Sequence, residues 1–219
     1  MEESQVEQAA RLLFAAWREQ RTIPGLPESC RPQSLDDGYR IQAALAALHE
    51  APEAGYKIGA TNQAVQNMLN VDAPFSAAYS RHEVMAAVAD LHPAIEIPDS
   101  RYEDLPAAGM AQITADNGAA ALLFMGPPAD DWRALDLSRQ SVTIRVNGAA
   151  VEEGSGANVL GDPANALVWL ANELSARGIG LKAGKTVSTG SAANVVKVEP
   201  GDNVVADFGD LGVAEASFG

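Results

Sequence analysis

A single cysteine, Cys30, stands among 219 residues. One thiol cannot build an intrachain disulfide framework, and with no Cys/His pairs at metal-ligand spacing it cannot anchor a thiolate zinc site. Cys30 lies in the polar, proline-flanked stretch PESCRPQ, where a surface thiol is expected rather than a nucleophile. Aromatic side chains make up only 5% of the chain while 47% of it is hydrophobic. Alanine and valine supply much of that apolar content, so the core is expected to be built from small residues. Basic residues are scarce too: 15 Lys and Arg against 29 Asp and Glu, a formal charge of −14 at pH 7. No cluster of Lys and Arg is present to neutralise phosphates, which argues against nucleic acid as a partner. An anionic small molecule would have to be held by a local basic group against the overall field. No apolar run approaches the roughly 18 residues that read as a membrane span, so no membrane partner is expected. The stretch MEESQVEQAARLLFAAW is acidic and amphipathic, unlike a secretory leader, and a cytoplasmic location is expected. The histidines are His49 at a helix end, His82 in a polar segment and His92 before a proline. None suggests a Ser–His pair, and no G-x-S-x-G elbow occurs.

The length fits one well-cored domain with a small N-terminal appendage. Val6, Leu13 and Trp17, with Ala9, Ala10 and Ala16 between them, fall on one helical face over residues 3–20. RTIPGLPESCRPQ breaks that pattern, and Ser34, Asp36 or Asp37 can cap a second helix striped by Ile41, Ala44, Leu45 and Leu48. These two helices form a helical region over 1–52. Over 53–219 a β-rich core is expected, the whole making one compact domain. Residues 55–60 read as a short strand, NQAVQNMLNV as a helical turn or two, and HEVMAAVADLHPAIEI as a helix running into a strand at Ala94–Ile97. NGAAALLFMG reads as an apolar strand, and SVTIRVNGAAVEEG as a hairpin turning at Asn147-Gly148. DPANALVWLANELSARG has Asp162 as cap, Pro163 in its first turn and Gly178 past its end, the marks of one long covering helix. Pro200-Gly201 suits a turn between the last strands, where Val204, Ala206 and Phe208 alternate. The fold class is α+β.

Candidate chemistry is sparse. In GYKIGATN, residues 55–62, Lys57 stands alone between glycines, either a substrate-gripping ammonium or a solvated turn charge. Glu96 sits inside the apolar strand of LHPAIEIPDSR, where a lone acid is costly unless paired, protonated or on a metal. The alternative is that it pairs with Arg101 or caps a neighbouring helix. Asp99 falls just past the strand end. Asp116-Asn117-Gly118 in TADNGAA is ordinary turn chemistry. EEGSGANVLGDPANA brings glycines to a helix start, but its spacing fits neither the dinucleotide fingerprint nor the P-loop. STGSAAN places the hydroxyls of Ser188, Thr189 and Ser191 beside Gly190.

Taken in order, GYKIGATN, VQNMLNVDAPFSA, HPAIEIPDSRY, TADNGAAALLFMG, the stretch from LDLSRQSVTIRV through LKAGKTVSTG, and VEPGDNVVADFGDLGVAEASF resemble one family. It is the 2-keto-4-pentenoate hydratase/4-oxalocrotonate decarboxylase family, within the fumarylacetoacetate hydrolase superfamily, and the resemblance spans nearly the whole chain. It implies a mixed β-barrel or roll core with helices packed around it and an active site at one mouth. It implies a lyase acting on short enolisable 2-keto acids, with Mg²⁺ or Mn²⁺ chelated by the 1-carboxylate and 2-keto oxygens and stabilising the enolate. Lys57 matches a pocket lysine, and Glu96 matches one of three metal-binding carboxylates. Glu96 and Asp99 are the expected acids beside Lys57, with Phe75, Asp116, Asn117, Ser188, Thr189 and Gly190 lining the substrate. A homo-oligomer is expected.

The departure from the family lies between Pro74-Phe75 and HPAIE. There the family carries a Glu-x-Glu pair on a strand, supplying the other two metal carboxylates, and this chain lacks that stretch. One carboxylate does not hold Mg²⁺ as three do, so the expected cofactor is none, or weakly held Mg²⁺ or Mn²⁺. A smaller departure is Lys185, where the family often has Asp. Three readings follow: a metal-independent lyase, isomerase or cyclase in which Lys57 supplies the charge and Glu96 moves protons; a conventional Mg²⁺-dependent hydratase with replaced ligands; or a non-catalytic binding protein or partner subunit.

Overall fold

In the computed structural model, which describes residues 1–49, 54–59 and 79–219, the amphipathic N-terminal stretch forms α1 (Glu3–Arg18). Phe75 and the helical turn expected in NQAVQNMLNV lie outside the described residues. The chain divides into two compact units, Met1–Ala54 with Ile97–Leu122, and Gly55–Glu96 with Leu123–Gly219.

The first unit is helical. Burial of Val6, Ala9, Ala10, Leu13 and Ala16 gives α1 its inner face. Trp17, expected on that face, is 47% exposed. It sits in the last turn, stacked on Phe14 and edge-on to His49. Ser34 caps α2 (Leu35–Leu48), its Oγ accepting from the Asp37 N–H at 3.1 Å. A third helix, α4 (Leu105–Ala115), starts at Asp104, whose Oδ1 accepts from the Ala107 N–H at 3.0 Å. Its backbone breaks at Gly109, where φ is 76°. Gly38 lets α2 approach it: a Cβ there would come within 2.5 Å of the Ala111 carbonyl oxygen. The core joins Val6, Leu13, Leu26, Ile41, Leu45, Tyr102 and Cys30. Cys30 is therefore no surface thiol. A short turn over Glu28–Cys30 carries it inward to 1% exposure, and burial pushes its pKa up.

The second unit carries most of the strands. β4 (Ser141–Val146) and β5 (Ala149–Ser155) form the expected hairpin, with Asn147 and Gly148 both at positive φ, 50° and 85°. That conformation is what an Asn-Gly turn between twisted strands requires. β7 (Asn203–Asp207) and β8 (Val213–Ser217) extend it into an antiparallel sheet of order β5-β4-β7-β8. Val204, Ala206, Ala214 and Ala216 are buried. Two further pairs complete the strands: β1 (Gly55–Lys57) with β6 (Thr186–Ser188), and β2 (Ala94–Pro98) with β3 (Ala120–Met125). Of the three boundaries between the units, one falls just before β1 and the other two fall inside β2 and β3. The described strands make three separate sheets and no closed barrel.

Two helices accompany these strands. The shorter, α3 (Arg81–Ala86), is capped by Ser80. The longer, α5 (Pro163–Ala176), is capped by Asp162, whose Oδ1 accepts from the Ala164 N–H at 2.8 Å, and Gly178 follows it at φ 72°. Ala166, Leu170 and Leu174 of α5 bury against Ile58 and Val159, with Tyr56 and Val187 packed on the same cluster. Each fully buried Leu or Ile there contributes about 1.5–3 kcal/mol. This α+β architecture agrees with the sequence reading. No described helix is long and apolar enough to cross a membrane.

Candidate functional site

The alternation of one tripeptide aims the lysine. Along β1, Tyr56 and Ile58 enter the apolar cluster under α5, so Lys57 between them faces the other way. β1 runs parallel to β6 with Gly55 opposite Thr186, Tyr56 opposite Val187 and Lys57 opposite Ser188. The Ile58 N–H donates to the Ser188 carbonyl at 3.0 Å. Only glycine fits at 55, since a Cβ would sit 1.9 Å from the Thr186 carbonyl oxygen. The lysine is thus carried on a ladder pinned by hydrogen bonds and by the helix behind it.

Glu96, in β2, brings its Oε1 to 2.9 Å from Lys57 Nζ, each side chain being 22% exposed. The contact is close in distance but poorly aligned. Oε1 itself is buried, and among the described residues no group meets hydrogen-bond geometry toward it. Lys57 and Glu96 form a close ion pair, with Oε1 lacking a well-aligned donor among the described residues. Arg101, the partner the sequence offered for Glu96, is ion-paired with Asp116 within its own unit. Ser188, Thr189 and Gly190 are half-buried where β6 ends, and Gly190 has a φ of 113°. The structure brings Lys57, Glu96 and Ser188 together.

Asp99, Asp116 and Asn117 belong to the helical unit. Asp116 is fully buried and ion-paired with Arg101, which is 5% exposed. Its Oδ2 accepts from the Arg101 backbone N–H at 3.1 Å and from Ser100 Oγ at 3.2 Å. Arg101 also donates through Nε to Asp116 Oδ1, through Nη2 to the Asp116 carbonyl, and through Nη1 to the Asp99 carbonyl at 2.8 Å. Burial pushes the Asp116 carboxyl above its ordinary value, opposed by the guanidinium and these donors. Asp99 is exposed and its N–H donates to the Ala119 carbonyl at 2.9 Å. Asn117 is exposed and accepts from Gln42 Nε2 at 2.8 Å. The importance of Arg101 escaped the sequence, because nothing local ties it to an acid beyond the next helix.

A divalent cation needs several hard oxygens around it. Among the described residues no three His, Cys, Asp or Glu side chains come together to hold one. The unsatisfied oxygen of Glu96 is one such donor, but its neighbour is an ammonium. Side chains two apart on a strand share a face, and no two acidic residues stand two positions apart anywhere in the chain. The described donor set does not fit a carboxylate-held divalent ion.

Residues 71–218 match the family model described as fumarylacetoacetate (FAA) hydrolase C-terminal. The 2-hydroxyhexa-2,4-dienoate hydratase of Comamonas testosteroni is 29% identical over 257 aligned positions, covering 97% of both chains. The 4-oxalocrotonate decarboxylase of Pseudomonas putida is 36% identical over 136 residues, which cover 62% of this chain and 51% of that one. Among solved structures, the 4-oxalocrotonate decarboxylase from Pseudomonas putida G7 complexed with magnesium and adipate superposes with a TM-score of 0.91. That match is 25% identical and covers 100% of this chain and 98% of the other.

Proposed function

The chain belongs to the fumarylacetoacetate hydrolase C-terminal family, and from that premise we propose that it is a hydratase- or decarboxylase-like lyase acting on a short enolisable 2-keto acid. The observation that carries this reading is the Lys57–Glu96 pair, 2.9 Å apart, in a chain that superposes on a 2-keto-acid decarboxylase. Abstraction of a proton beside a keto group puts negative charge on the keto oxygen, and a fixed ammonium stabilises that charge. A carboxylate next to it takes the proton and returns it elsewhere on the conjugated chain. Ser188, Thr189 and Gly190 line the substrate in this reading.

The divalent-metal site is lost or altered. An alignment of 257 positions against a chain of 219 residues leaves stretches of the hydratase without counterpart here. This supports a chain shortened where the family carries its Glu-x-Glu strand. A conventional Mg²⁺-dependent hydratase is the second reading, favoured by the magnesium in the superposing decarboxylase.

The test offers the purified protein 2-hydroxypenta-2,4-dienoate, 2-hydroxyhexa-2,4-dienoate and 4-oxalocrotonate and follows loss of the dienol absorbance, with EDTA and with added Mg²⁺. Consumption of one of them is expected, with kcat/KM falling about 100-fold in Lys57→Ala and in Glu96→Gln. Activity abolished by EDTA and restored by Mg²⁺ would establish the second reading instead. No turnover would leave a non-catalytic binding homologue, and turnover unchanged in both variants would refute the roles given to Lys57 and Glu96.

A further inference from the structure

We infer that Asn158 is a positioning residue for the site around Lys57. Through the Ala192 carbonyl it holds the far end of the hydroxyl-bearing stretch Ser188–Ser191, which begins opposite the lysine. The inference deepens the lyase reading and rests on it only for its kinetic test.

The stretch is anchored at both ends in one apolar cluster. Val187 and Ala192 pack with Tyr56 on the core of Ile58, Val159 and the buried residues of α5. Strand partners in register project to the same side of a sheet, and Lys57 stands opposite Ser188 as Tyr56 stands opposite Val187. Ser188 therefore faces with the lysine, away from the cluster. The chain comes back to the cluster at Ala192, so Ser188, Thr189, Gly190 and Ser191 span an arch between two fixed feet. All four are half-buried, and Gly190 turns at a φ of 113°, a conformation open to glycine.

The near foot belongs to the β1–β6 ladder, and the far foot is held by the end of β5. The Ala192 carbonyl accepts from the Ser155 N–H at 3.0 Å and from Asn158 Nδ2 at 2.8 Å. Two residues on, Asn194 Nδ2 donates to Glu152 Oε1 at 2.8 Å. This close approach requires glycine at 154, where a Cβ would lie 2.1 Å from the Ala192 carbonyl oxygen. Asn158 ends a short turn over Gly156–Asn158, and Val159 beside it is 1% exposed in the same cluster. An exposed side chain thus reaches Ala192 from a backbone that is itself fixed.

The ladder places Ser188 whether or not Asn158 is present. Thr189, Gly190 and Ser191 lie beyond its last rung, and their order depends on the far foot. An arch with one foot loosened gains conformers that binding must then remove, and a displacement of about 1 Å at a positioning group costs turnover steeply. Asn158 acts by placing these hydroxyls relative to the lysine, not by contact with substrate.

Asn158→Asp keeps the shape of the side chain and removes its N–H donor, Asn158→Ala removes both, and Asn158→Gln keeps the amide. In the first two, amide hydrogen exchange followed by NMR is expected to quicken about fivefold at Ser155, which donates to the same carbonyl, and across 189–193. Asn158→Gln should recover part of the protection. The Asn147 amide, which donates to the Asn203 carbonyl at the other end of the hairpin, should not change. The Lys57 ε-methylene signal should shift in Asn158→Asp and Asn158→Ala, while that of Lys197, 89% exposed, stays still. On a dienol acid that the parent protein consumes, KM should rise about tenfold with kcat within about threefold. Melting temperatures within about 4 °C of the parent's check that the variants fold, and should one unfold, the other and Asn158→Gln decide. Unchanged exchange at Ser155 and the arch, equal quickening at Asn147, or an unmoved Lys57 signal would overturn the inference, as would kinetic constants that ignore both variants. If the parent consumes no dienol acid, the lyase reading falls, and exchange with the Lys57 signal decides the inference alone.

Discussion

Arg101→Met keeps the aliphatic reach of the side chain and deletes the guanidinium, and the structure sets its expected effect. In the folded chain Arg101 is 5% exposed and Asp116 0%. The guanidinium supplies donors to the Asp116 carboxylate, the Asp116 carbonyl and the Asp99 carbonyl. Asp116 retains the Arg101 backbone N–H and the Ser100 hydroxyl after the change. Orphaning a buried acceptor costs about 1–3 kcal/mol, and breaking a buried ion pair about 3–5 kcal/mol. The lower range applies if water reaches the vacated space. In a chain of 219 residues, each kcal/mol moves the melting temperature by about 2–4 °C, so a fall of roughly 6–20 °C is expected. Circular dichroism on heating and in urea measures it. Glu19–Arg21 provides the control: that pair is 57% and 47% exposed, and Arg21→Met should cost less than about 1 kcal/mol.

The pH dependence has a definite sign. Burial already raises the Asp116 carboxyl, and the guanidinium is its main opponent. Without Arg101 the folded-state pKa rises further above its unfolded value. A carboxyl raised on folding favours the folded state only while protonated, so the deficit of Arg101→Met should be smaller near pH 5 than at pH 8. If Arg101→Met cannot be told from Arg21→Met, or its deficit shrinks as pH rises, the reading of this pair as the clip of the helical unit is refuted.

Other outcomes follow from single groups. Cys30, at 1% exposure, should resist a thiol reagent such as DTNB in the native protein and react at once in guanidinium; rapid native labelling would contradict its burial. Asn172, itself 1% exposed, accepts from the Tyr79 N–H at 2.6 Å and donates to the Tyr79 carbonyl at 3.3 Å. Asn172→Leu should cost about 1–3 kcal/mol and speed hydrogen exchange at the Tyr79 amide, and unchanged protection there would refute the tether. The Glu199 N–H and Asn147 Nδ2, donating at 2.8 and 2.7 Å, hold Asp202 below the usual carboxylate range. Its contribution is present above the ordinary carboxylate value and is lost as pH falls through its own. An NMR titration should therefore show the 199–202 turn loosening in acid, and Asp202→Asn should remove that step.

The parts legible in the sequence were those specified within a few residues. Asn147-Gly148 sets its hairpin by backbone conformation, and Asp162, Pro163 and Gly178 mark the ends of α5 whatever surrounds them. α4 was not anticipated, because Leu105–Ala115 carries Pro106 and Gly109 and no apolar stripe. The burial of Cys30 was hidden by its polar neighbours, since a chain of three residues can turn one side chain inward while the others stay wet. The site was half legible. Lys57 stood out as a lone basic residue between glycines and Glu96 as an acid inside an apolar strand, and the family resemblance put both in one pocket. Their contact, the opposition of Lys57 to Ser188 and the pairing of Arg101 with Asp116 depend on tertiary pairings that no local pattern encodes.

The parallel ladder between β1 and β6 also constrains how the protein comes into being. Its partners are Gly55–Lys57 and Thr186–Ser188, far apart in a chain made from the N-terminus. Contacts between distant segments are slow to form, because loop entropy is lost before the pairing compensates it. On the ribosome, Lys57 therefore waits for almost the entire polypeptide before its supporting strand exists. Folding of the helical unit has a similar dependence, since Ile97–Leu122 follows Gly55–Glu96 in the chain. A truncation that ends before Thr186 would leave β1 as an unpaired edge, the kind of surface on which chains aggregate.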